Sequence, residues 1–226
     1  MLGVLFGLLV VTALTVYYVL VERPRQRALE LEGPHPVPLP LADIIGNLPE
    51  GVFLHPTLTW GRLRPNGDVD LGIHPLLLGL VGESREIHPR GEPGRLEKGD
   101  PIADIVVGDR ELTIRSPTSG RMVATNPRVT GDASWWGATW DDGSWICRVR
   151  PDRLSAEIGS WLISDKAVEW TRRRYGDIRD CILSQAFRGT PELMMADGGE
   201  IPIGILTQLD GEAWQEFEKD FLGSTS

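Results

Sequence analysis

The stretch Val106–Gly120, "VVGDRELTIRSPTSG", decides the fold, and at its centre lies the dipeptide Gly108-Asp109. Apolar and polar residues alternate on both sides of this dipeptide, which is the pattern of two strands joined by a tight turn. The run Ser-Pro-Thr-Ser-Gly at the end of the stretch predicts a corner, because proline restricts φ and glycine accepts positive φ. We therefore expect a β-hairpin that closes on a sharp corner.

The surrounding sequence repeats this pattern from about Leu58 to Arg150. Short apolar alternations are separated by turns at 65–68, 98–100 and 118–120, and "GSWICRVRP" predicts a last strand. Short strands at this spacing favour a compact barrel or sandwich. Glycine is needed in such a fold at corners with positive φ and where sheets cross closely, and the candidates are Gly99, Gly120 and Gly143. The four histidines lie beside prolines and are interpreted as turn residues: His35, His55, His74 and His88.

After Pro151 the apolar residues follow a helical period. Residues 155–187 predict two helices or one bent helix, with Ser164 or Asp165 as the N-cap. The stretch "PELMMADGGEIPIGIL" then predicts a hairpin that turns at 197–199. The C-terminal part of the chain is therefore expected to hold helices plus one hairpin.

A final amphipathic helix is expected after Asp210, the predicted N-cap. Trp214, Phe217 and Phe221 fall on one face of this helix. Such a face packs in the protein's own core or docks into the groove of a partner. The same choice applies to "WWGATWDDGSW", whose tryptophans fold onto their own domain or anchor an interface. Its members are Trp135, Trp136, Trp140 and Trp145.

The N-terminal stretch Leu2–Val21 contains no charged residue and, at ~1.5 Å per residue, is long enough as a helix to cross a ~30 Å hydrocarbon core. A cleaved signal peptide would carry its positive charge before the apolar run, whereas here the arginines follow it. We therefore expect an uncleaved single-pass anchor in the inner (cytoplasmic) membrane. The positive-inside rule places the N-terminus outside and the soluble domain in the cytoplasm. The anchor residues singled out are Leu2, Phe6, Tyr17, Tyr18, Arg23 and Arg25.

Composition and the lack of known motifs argue against several classes of function. The chain has 226 residues and a net charge of -9, which argues against nucleic-acid binding because a phosphate backbone needs a basic face. It contains two distant cysteines and no clustered histidines, so neither a metal site nor a disulfide framework is expected. No phosphate loop, dinucleotide fingerprint or nucleophile–base pair is present in the sequence. We expect neither an enzyme nor a cofactor.

Three stretches in order carry a family resemblance. They are "GDVDLGIHPLLLGLVGESREIHPRGEPGRLEKGDPIADI", "IRSPTSGRMVATNPRV" and "GSWICRVRPDRL". With them, the region from Leu63 to about Trp170 resembles the H protein of the glycine cleavage system and the wider lipoyl-domain fold. The resemblance implies a mainly β barrel-sandwich hybrid, with a short helical stretch after its opening strand.

The resemblance also implies where a lipoyl group would be attached. In the family, the lipoyl lysine lies at the turn of the hairpin that precedes the Ser-Pro-x-Ser-Gly corner, and this position falls on Asp109 here. Aspartate has no amine with which to form the amide bond. The three lysines of the chain lie elsewhere: Lys98, Lys166 and Lys219. The resemblance therefore implies a degenerate lipoyl position and no lipoylation.

These patterns together predict a chain of five segments. A transmembrane helix (1–22) precedes a proline-rich linker (23–57) and a lipoyl-like β domain (58–153); a helical extension (154–189) and a hairpin with an amphipathic helix (190–226) follow. This layout favours an accessory subunit that binds integral membrane proteins and the lipid bilayer. The outline is similar to the H subunit of purple-type photosynthetic reaction centres, so photosynthetic or electron-transfer complexes are the expected hosts.

Two alternatives remain open at this point. Periplasmic adaptors of efflux or secretion systems also combine an N-terminal anchor with a lipoyl-like module, although a long coiled-coil hairpin splits that module. A regulatory module that binds lipoate-using enzymes without carrying lipoate is the second alternative. The cellular location of the soluble domain and binding to such enzymes would separate these alternatives from an accessory subunit.

Overall fold

The computed structural model describes Leu41 and residues 48–83, 85–129, 143–189 and 201–223, with the backbone alone for 185–189. Four predicted features lie outside these residues: the transmembrane helix, the proline-rich stretch 33–40, the tryptophans at 135–140 and the turn at 197–199. Within the described ranges, no helix combines the length and the apolar character that a membrane crossing needs.

Nine antiparallel strands form two sheets in the described part of the chain, so the expected mainly β class is confirmed. The six-stranded sheet has the order β1-β2-β3-β9-β8-β5, and the three-stranded sheet has the order β4-β6-β7. The strands are β1 Val52–His55, β2 Thr59–Leu63, β3 Val69–Ile73, β4 Glu86–Pro89, β5 Gly94–Leu96, β6 Pro101–Val107, β7 Arg110–Arg115, β8 Gly120–Thr125 and β9 Trp145–Pro151.

Helical segments fill the gaps between strands and the region after them. They are α1 Pro75–Val81, α2 Leu154–Glu157, a 3-10 turn Ile158–Ser160, α3 Ser164–Gly189, a 3-10 turn Ile205–Gln208, α4 Gly211–Phe217 and one π-helical turn Glu218–Leu222. The short helix after the opening strand is confirmed as α1. Of the two arrangements expected for 155–187, the structure has a short α2 and one long α3.

The domain begins earlier than predicted. Residues up to 57 were expected to belong to the linker, yet Val52–His55 forms β1 and pairs with β2. Val52 and Leu54 are buried, and the backbone of Leu54 exchanges two hydrogen bonds with that of Leu162. Four residues between Gly51 and Pro56 are too few to show an apolar period, so the sequence alone did not reveal the strand.

The second strand of the predicted C-terminal hairpin is not formed. Residues 201–204 have no strand partner, and Ile205–Gln208 is a 3-10 turn. Gly204 instead approaches α1, where its backbone N–H donates to the carbonyl of Gly79 at 2.9 Å. Gly204 and Gly82 both have positive φ, and a Cβ on Gly82 would lie 2.9 Å from the Cα of Gly204. Close packing against α1 therefore replaces strand pairing.

The corner glycines serve different purposes. Gly99 has the expected positive φ of +92° in the turn between β5 and β6. Gly120 is not among the positive-φ residues, and its constraint is space. A Cβ on Gly120 would lie 2.8 Å from the Cα of Pro151 and closer still to the carbonyl oxygen of Arg150. Glycine at 120 therefore allows β8 and β9 to cross closely.

One large core joins the two sheets, α1, α3 and the C-terminal segment. Ala167 on α3 belongs to a second, smaller cluster on the six-stranded sheet, with Val52, Leu54 and Trp60. The helix thus connects the two clusters and holds the sheet in place. This arrangement leaves the β6–β7 hairpin at one side of the molecule, where the C-terminal segment meets it.

Candidate functional site

The tip of the β6–β7 hairpin is the two-residue loop Gly108-Asp109, which the sequence predicted. Val107 and Arg110 are the last paired residues before the loop. Gly108 has φ of +61°, a value that L side chains rarely adopt, so a glycine suits the first loop position. Asp109 is exposed and makes no hydrogen bond or ion pair within the described part of the chain. The tip therefore presents one solvent-exposed carboxylate.

Directly beyond the tip, the hairpin is bound by residues 201–223, which we call the C-terminal cover. Arg110 donates to the carbonyl of Leu209, and its guanidinium lies 5.5 Å from the centre of the Trp214 ring. The indole N–H of Trp214 donates to the carbonyl of Glu111 at 3.2 Å. These contacts fix the residues next to the tip, so the hairpin is a supported element and not a free arm.

The C-terminal cover also occupies the edge of the three-stranded sheet. Strand β7 is one of the two edge strands of this sheet, and the backbone N–H of Thr113 donates to Oε1 of Glu218 at 3.4 Å. Because an open edge presents unpaired N–H and C=O groups to other chains, this contact satisfies a group that would otherwise be exposed. The side of β7 that could pair with another strand is therefore partly covered by the chain itself.

Helix α4 forms as the sequence predicted. The Asp210 side chain accepts a hydrogen bond from the N–H of Ala213 at 2.8 Å, which confirms Asp210 as the N-cap. The aromatic face of Trp214, Phe217 and Phe221 lies in the main core, with at most 5% of each residue exposed. Of the two interpretations of this face, core packing is the one observed, and the docking interpretation is corrected for these three residues.

The corner after the hairpin is bound to α2. The Glu157 carboxylate accepts hydrogen bonds from the hydroxyl of Thr118 and from the N–H of Ser119, the latter at 3.2 Å. Within the corner, the Ser116 hydroxyl donates to the carbonyl of Thr118 at 2.7 Å. The sequence does not reveal the role of Glu157, because no local pattern connects it with residues 38 and 39 positions earlier. The corner thus connects the β6–β7 hairpin with α2.

A shallow depression of about 340 Å³ lies beside the tip, lined by Glu83, Arg85, Glu86, Val106 and Gly108. Arg85 donates to the carbonyls of Gly82 and Leu78 and so caps the C-terminal end of α1. Burial lowers the pKa of its guanidinium to about 10, which leaves the group charged at neutral pH. Among the described residues, the lining therefore consists of two carboxylates, a capping cation, the Val106 side chain and Gly108.

The three described histidines do not lie in turns, which corrects that prediction. His55 ends β1, His74 is the N-cap of α1 and His88 lies in β4. Burial lowers the pKa of His74 to about 3, and burial with the nearby charge of Lys98 lowers the pKa of His55 to about 4. Both rings are therefore neutral at physiological pH. Nowhere in the described ranges do three or more His, Cys, Asp or Glu side chains gather closely enough to hold a metal ion.

Of the four tryptophans predicted at 135–145, Trp145 is the one that the structure describes. It is partly buried against the smaller core cluster, and the Arg148 guanidinium lies 4.9 Å from its ring centre. Its carbonyl accepts a hydrogen bond from the side-chain amide of Asn126 at 2.7 Å. Part of the Trp145 side chain thus packs against its own domain, and part remains exposed. Trp135, Trp136 and Trp140 fall outside the described residues.

Comparison with known proteins supports the fold. No family model matches the chain. Over 115 residues it is 25% identical to glycine cleavage system H protein 3 from Aquifex aeolicus, a match that covers 49% of this chain and 70% of that protein. The crystal structure of a glycine cleavage system H protein from Mycobacterium marinum aligns with a TM-score of 0.42 and 16% identity, over 50% of this chain and 97% of that one. The sequence similarity supports an H-protein-like fold for about half of the chain.

Proposed function

We propose that this protein is a non-catalytic, single-pass membrane-anchored subunit of a larger membrane complex. In this proposal, its H-like domain carries no lipoyl group and acts as a structural module. Integral membrane proteins are the proposed partners. Photosynthetic reaction centres or electron-transfer complexes are the host class that we infer from the predicted layout.

The observation that carries the proposal is the residue at the hairpin tip. Asp109 occupies the exposed position of a two-residue loop, where the resemblance to H proteins implies a lipoyl lysine. A carboxylate cannot form the amide bond to lipoate. The residues next to it are held by the C-terminal cover through Arg110 and Trp214, so the hairpin is suited to a fixed shape.

The anchor and the fixed domain together favour a scaffold over a carrier. A carrier must move its arm between active sites, whereas this hairpin is packed against the C-terminal cover along β7 and contributes to the main core. The buried cover adds apolar contacts beyond the barrel itself. The cover therefore stabilises the domain and holds the hairpin in one conformation, and a structural subunit needs both properties.

The tight hairpin disfavours the adaptor alternative. Adaptors split the lipoyl-like module with a long coiled-coil hairpin, while β6 and β7 are joined by two residues. The regulatory alternative predicts affinity for glycine decarboxylase or a lipoyl ligase. A pulldown with the full chain as bait tests it, and specific capture of either enzyme would favour it over the structural role.

Purification in mild detergent tests the proposed role directly. The tagged full chain should co-purify with integral membrane proteins in a constant ratio, identified by mass spectrometry. A variant that lacks residues 1–22 is the matched control and should lose membrane association together with those partners. Recovery of the full chain as a lone monomer contradicts the proposal.

The absence of lipoylation is tested separately. The full chain, expressed in a host that lipoylates its own H protein, should show an intact mass without a lipoyl adduct. A co-expressed H protein that gains the adduct is the positive control. An adduct on any of the three lysines of this chain would refute the structural assignment and restore a carrier role.

A further inference from the structure

The outer face of the six-stranded sheet carries a concentration of arginines. We call it the arginine face, and its members are Arg64, Arg95, Arg121, Arg148 and Arg150. Strand register places Arg121 of β8 directly opposite Arg95 of β5 and directly opposite Arg150 of β9. Opposed residues of antiparallel strands point to the same side of a sheet. Three guanidinium groups therefore stand in one row across three neighbouring strands.

Carboxylates below this row offset part of its charge. Asp68 and Asp70 are buried, and Asp70 accepts hydrogen bonds from Arg64 and Arg148 at 2.6 Å each. Asp68 accepts from Arg150 at 2.9 Å, and this interaction lowers the pKa of Asp68. These two carboxylates thus lie beneath the arginines with which they pair.

The middle of the row is not compensated. Arg121 is exposed and takes part in no hydrogen bond or ion pair among the described residues. Of its opposed neighbours, Arg150 is 64% exposed and pairs through Asp68, and Arg95 is 64% exposed and pairs with Glu97 and Asp152. Like charges directly opposite one another destabilise a sheet. An anion between Arg121 and Arg150 would relieve that repulsion.

The face is locally basic in an acidic protein. It presents five arginines with four carboxylates, two of them buried, on a chain whose net charge is -9. Guanidinium groups bind phosphate with paired N–H donors, and neighbouring strands present them about 4.8 Å apart. A row of exposed arginines on a sheet suits a surface of many phosphates better than one small ligand.

We propose that the arginine face binds the anionic phosphate headgroups of the bilayer to which the chain is anchored. This inference rests on the membrane anchoring in the proposed function, since the anchor confines the domain to the neighbourhood of the bilayer. Juxtamembrane arginines gain energy from the negative surface of anionic lipids, and the gain is screened by salt. Docking would therefore depend on lipid charge and ionic strength.

Arginine footprinting in a bilayer that contains no native partner protein tests this proposal. The full chain is reconstituted into nanodiscs of phosphatidylcholine alone or of phosphatidylcholine mixed with phosphatidylglycerol. Phenylglyoxal then labels accessible arginines, and peptide mass spectrometry gives the rate at each one. In anionic discs, labelling of Arg121 and Arg150 should fall roughly threefold or more and recover at about 0.5 M NaCl. Arg172 on α3 is exposed and should label equally in both lipids.

Two charge reversals of equal size provide the matched comparison. Arg121→Glu removes the unpaired centre of the row, and protection of Arg150 in anionic discs should be lost. Arg172→Glu changes the net charge by the same amount at another exposed site and should preserve that protection. Because neither arginine has a partner in the described structure, both variants should melt within a few degrees of the wild type.

The outcomes separate docking from anchoring. Incorporation into discs without selective protection overturns the docking proposal and leaves anchoring intact, whereas failure to incorporate overturns both. Loss of protection in Arg172→Glu alone would move the contact to α3 and overturn the arginine face. Protection in native membranes that is absent from anionic discs would assign the face to an acidic protein and equally overturn the lipid assignment.

Discussion

His74 lies completely buried at the start of α1, where its Nδ1 accepts a hydrogen bond from the N–H of Leu76 at 3.0 Å. Its ring is in edge contact with Trp170, and the hydroxyl of Thr171 is 3.5 Å from Nε2. A neutral ring accepts at Nδ1 and a protonated one cannot. This residue therefore connects helix capping, core packing and the response of the fold to acid.

We predict that His74 lowers stability in acid. The folded-state pKa of about 3 lies below the unfolded value of 6.5, so the unfolded chain binds a proton first as pH falls. Between about pH 7.5 and pH 5.5 this residue alone should cost about 1.4 kcal/mol of unfolding free energy. Urea unfolding in detergent should show a flatter pH dependence for His74→Asn. Equal slopes for the wild type and His74→Asn would contradict the assignment.

The hairpin tip offers a second prediction at the residue scale. Asp109→Lys should change the unfolding free energy by less than about 0.5 kcal/mol, because the side chain is exposed and unpartnered in the described structure. Gly108→Ala, one residue away, should cost about 1 kcal/mol or more, since φ is +61° there. Thermal melts of both variants check this. Unfolding of Asp109→Lys would reveal a structural role for the turn that its contacts do not show.

At the scale of elements, the sequence predicted those strands whose turns carry a local signal. The turns at Gly67, Gly99 and Gly108 have positive φ, and the strands on both sides of each were expected. Strand β1 was missed because four residues are too few to show an apolar period, although its pairing with β2 is local. The 3-10 turn at 205–208 was missed because Gly204, just before it, packs against α1, a contact that no local pattern reveals. The hairpin tip of the candidate site was predicted for the same local reason. Its C-terminal cover was not, since contacts such as Trp214 with Glu111 span about a hundred residues.

Two glycines should respond to alanine in opposite directions. Gly120→Ala should cost about 2 kcal/mol or more, because its Cβ would collide with the backbone of β9 at Arg150 and Pro151. Gly176→Ala in the middle of α3 meets open space and should stabilise the protein by about 0.5–1 kcal/mol. Chemical denaturation of both variants measures the difference. An unchanged free energy of unfolding for Gly120→Ala would mean that β8 and β9 can move apart without loss of stability.

The C-terminal cover should protect strand β7 from hydrogen exchange. Trp214→Ala removes the ring beneath Arg110 and the indole donor to Glu111, and should cost about 3–5 kcal/mol. Amide exchange at 111–113 should rise, because local opening then requires less free energy. Gln215→Ala, exposed on the same helix, is the matched control. Unchanged exchange at β7 in Trp214→Ala would show that the cover does not stabilise the edge.

At the scale of the whole molecule, the main core does not end with the H-like barrel. The cover contributes nine buried residues to it: Ile201, Ile205, Leu206, Leu209, Ala213, Trp214, Phe217, Phe221 and Leu222. Arg174 of α3 donates to the carbonyls of Asp220 and Phe221, and its guanidinium lies 4.5 Å from the Phe221 ring centre. The cover therefore bridges α3 and the hairpin, and we expect all three to unfold as one unit.

A chain that ends at residue 200 tests this cooperativity. Loss of the buried residues should lower the free energy of unfolding by about 4–5 kcal/mol, because the lost apolar burial exceeds the conformational entropy that ordering the segment costs. At this chain length the change should lower Tm by roughly 10–20 °C. The shortened chain should also bind a hydrophobic dye, since the core beneath the cover becomes exposed. A chain that ends at Gly223 keeps the whole cover and should melt like the wild type. If the chain ending at 200 also keeps the wild-type Tm, the barrel is self-sufficient and the cover is an independent attachment. A lowered Tm instead places the cover within the same cooperative unit as the hairpin, as a structural role for this domain requires.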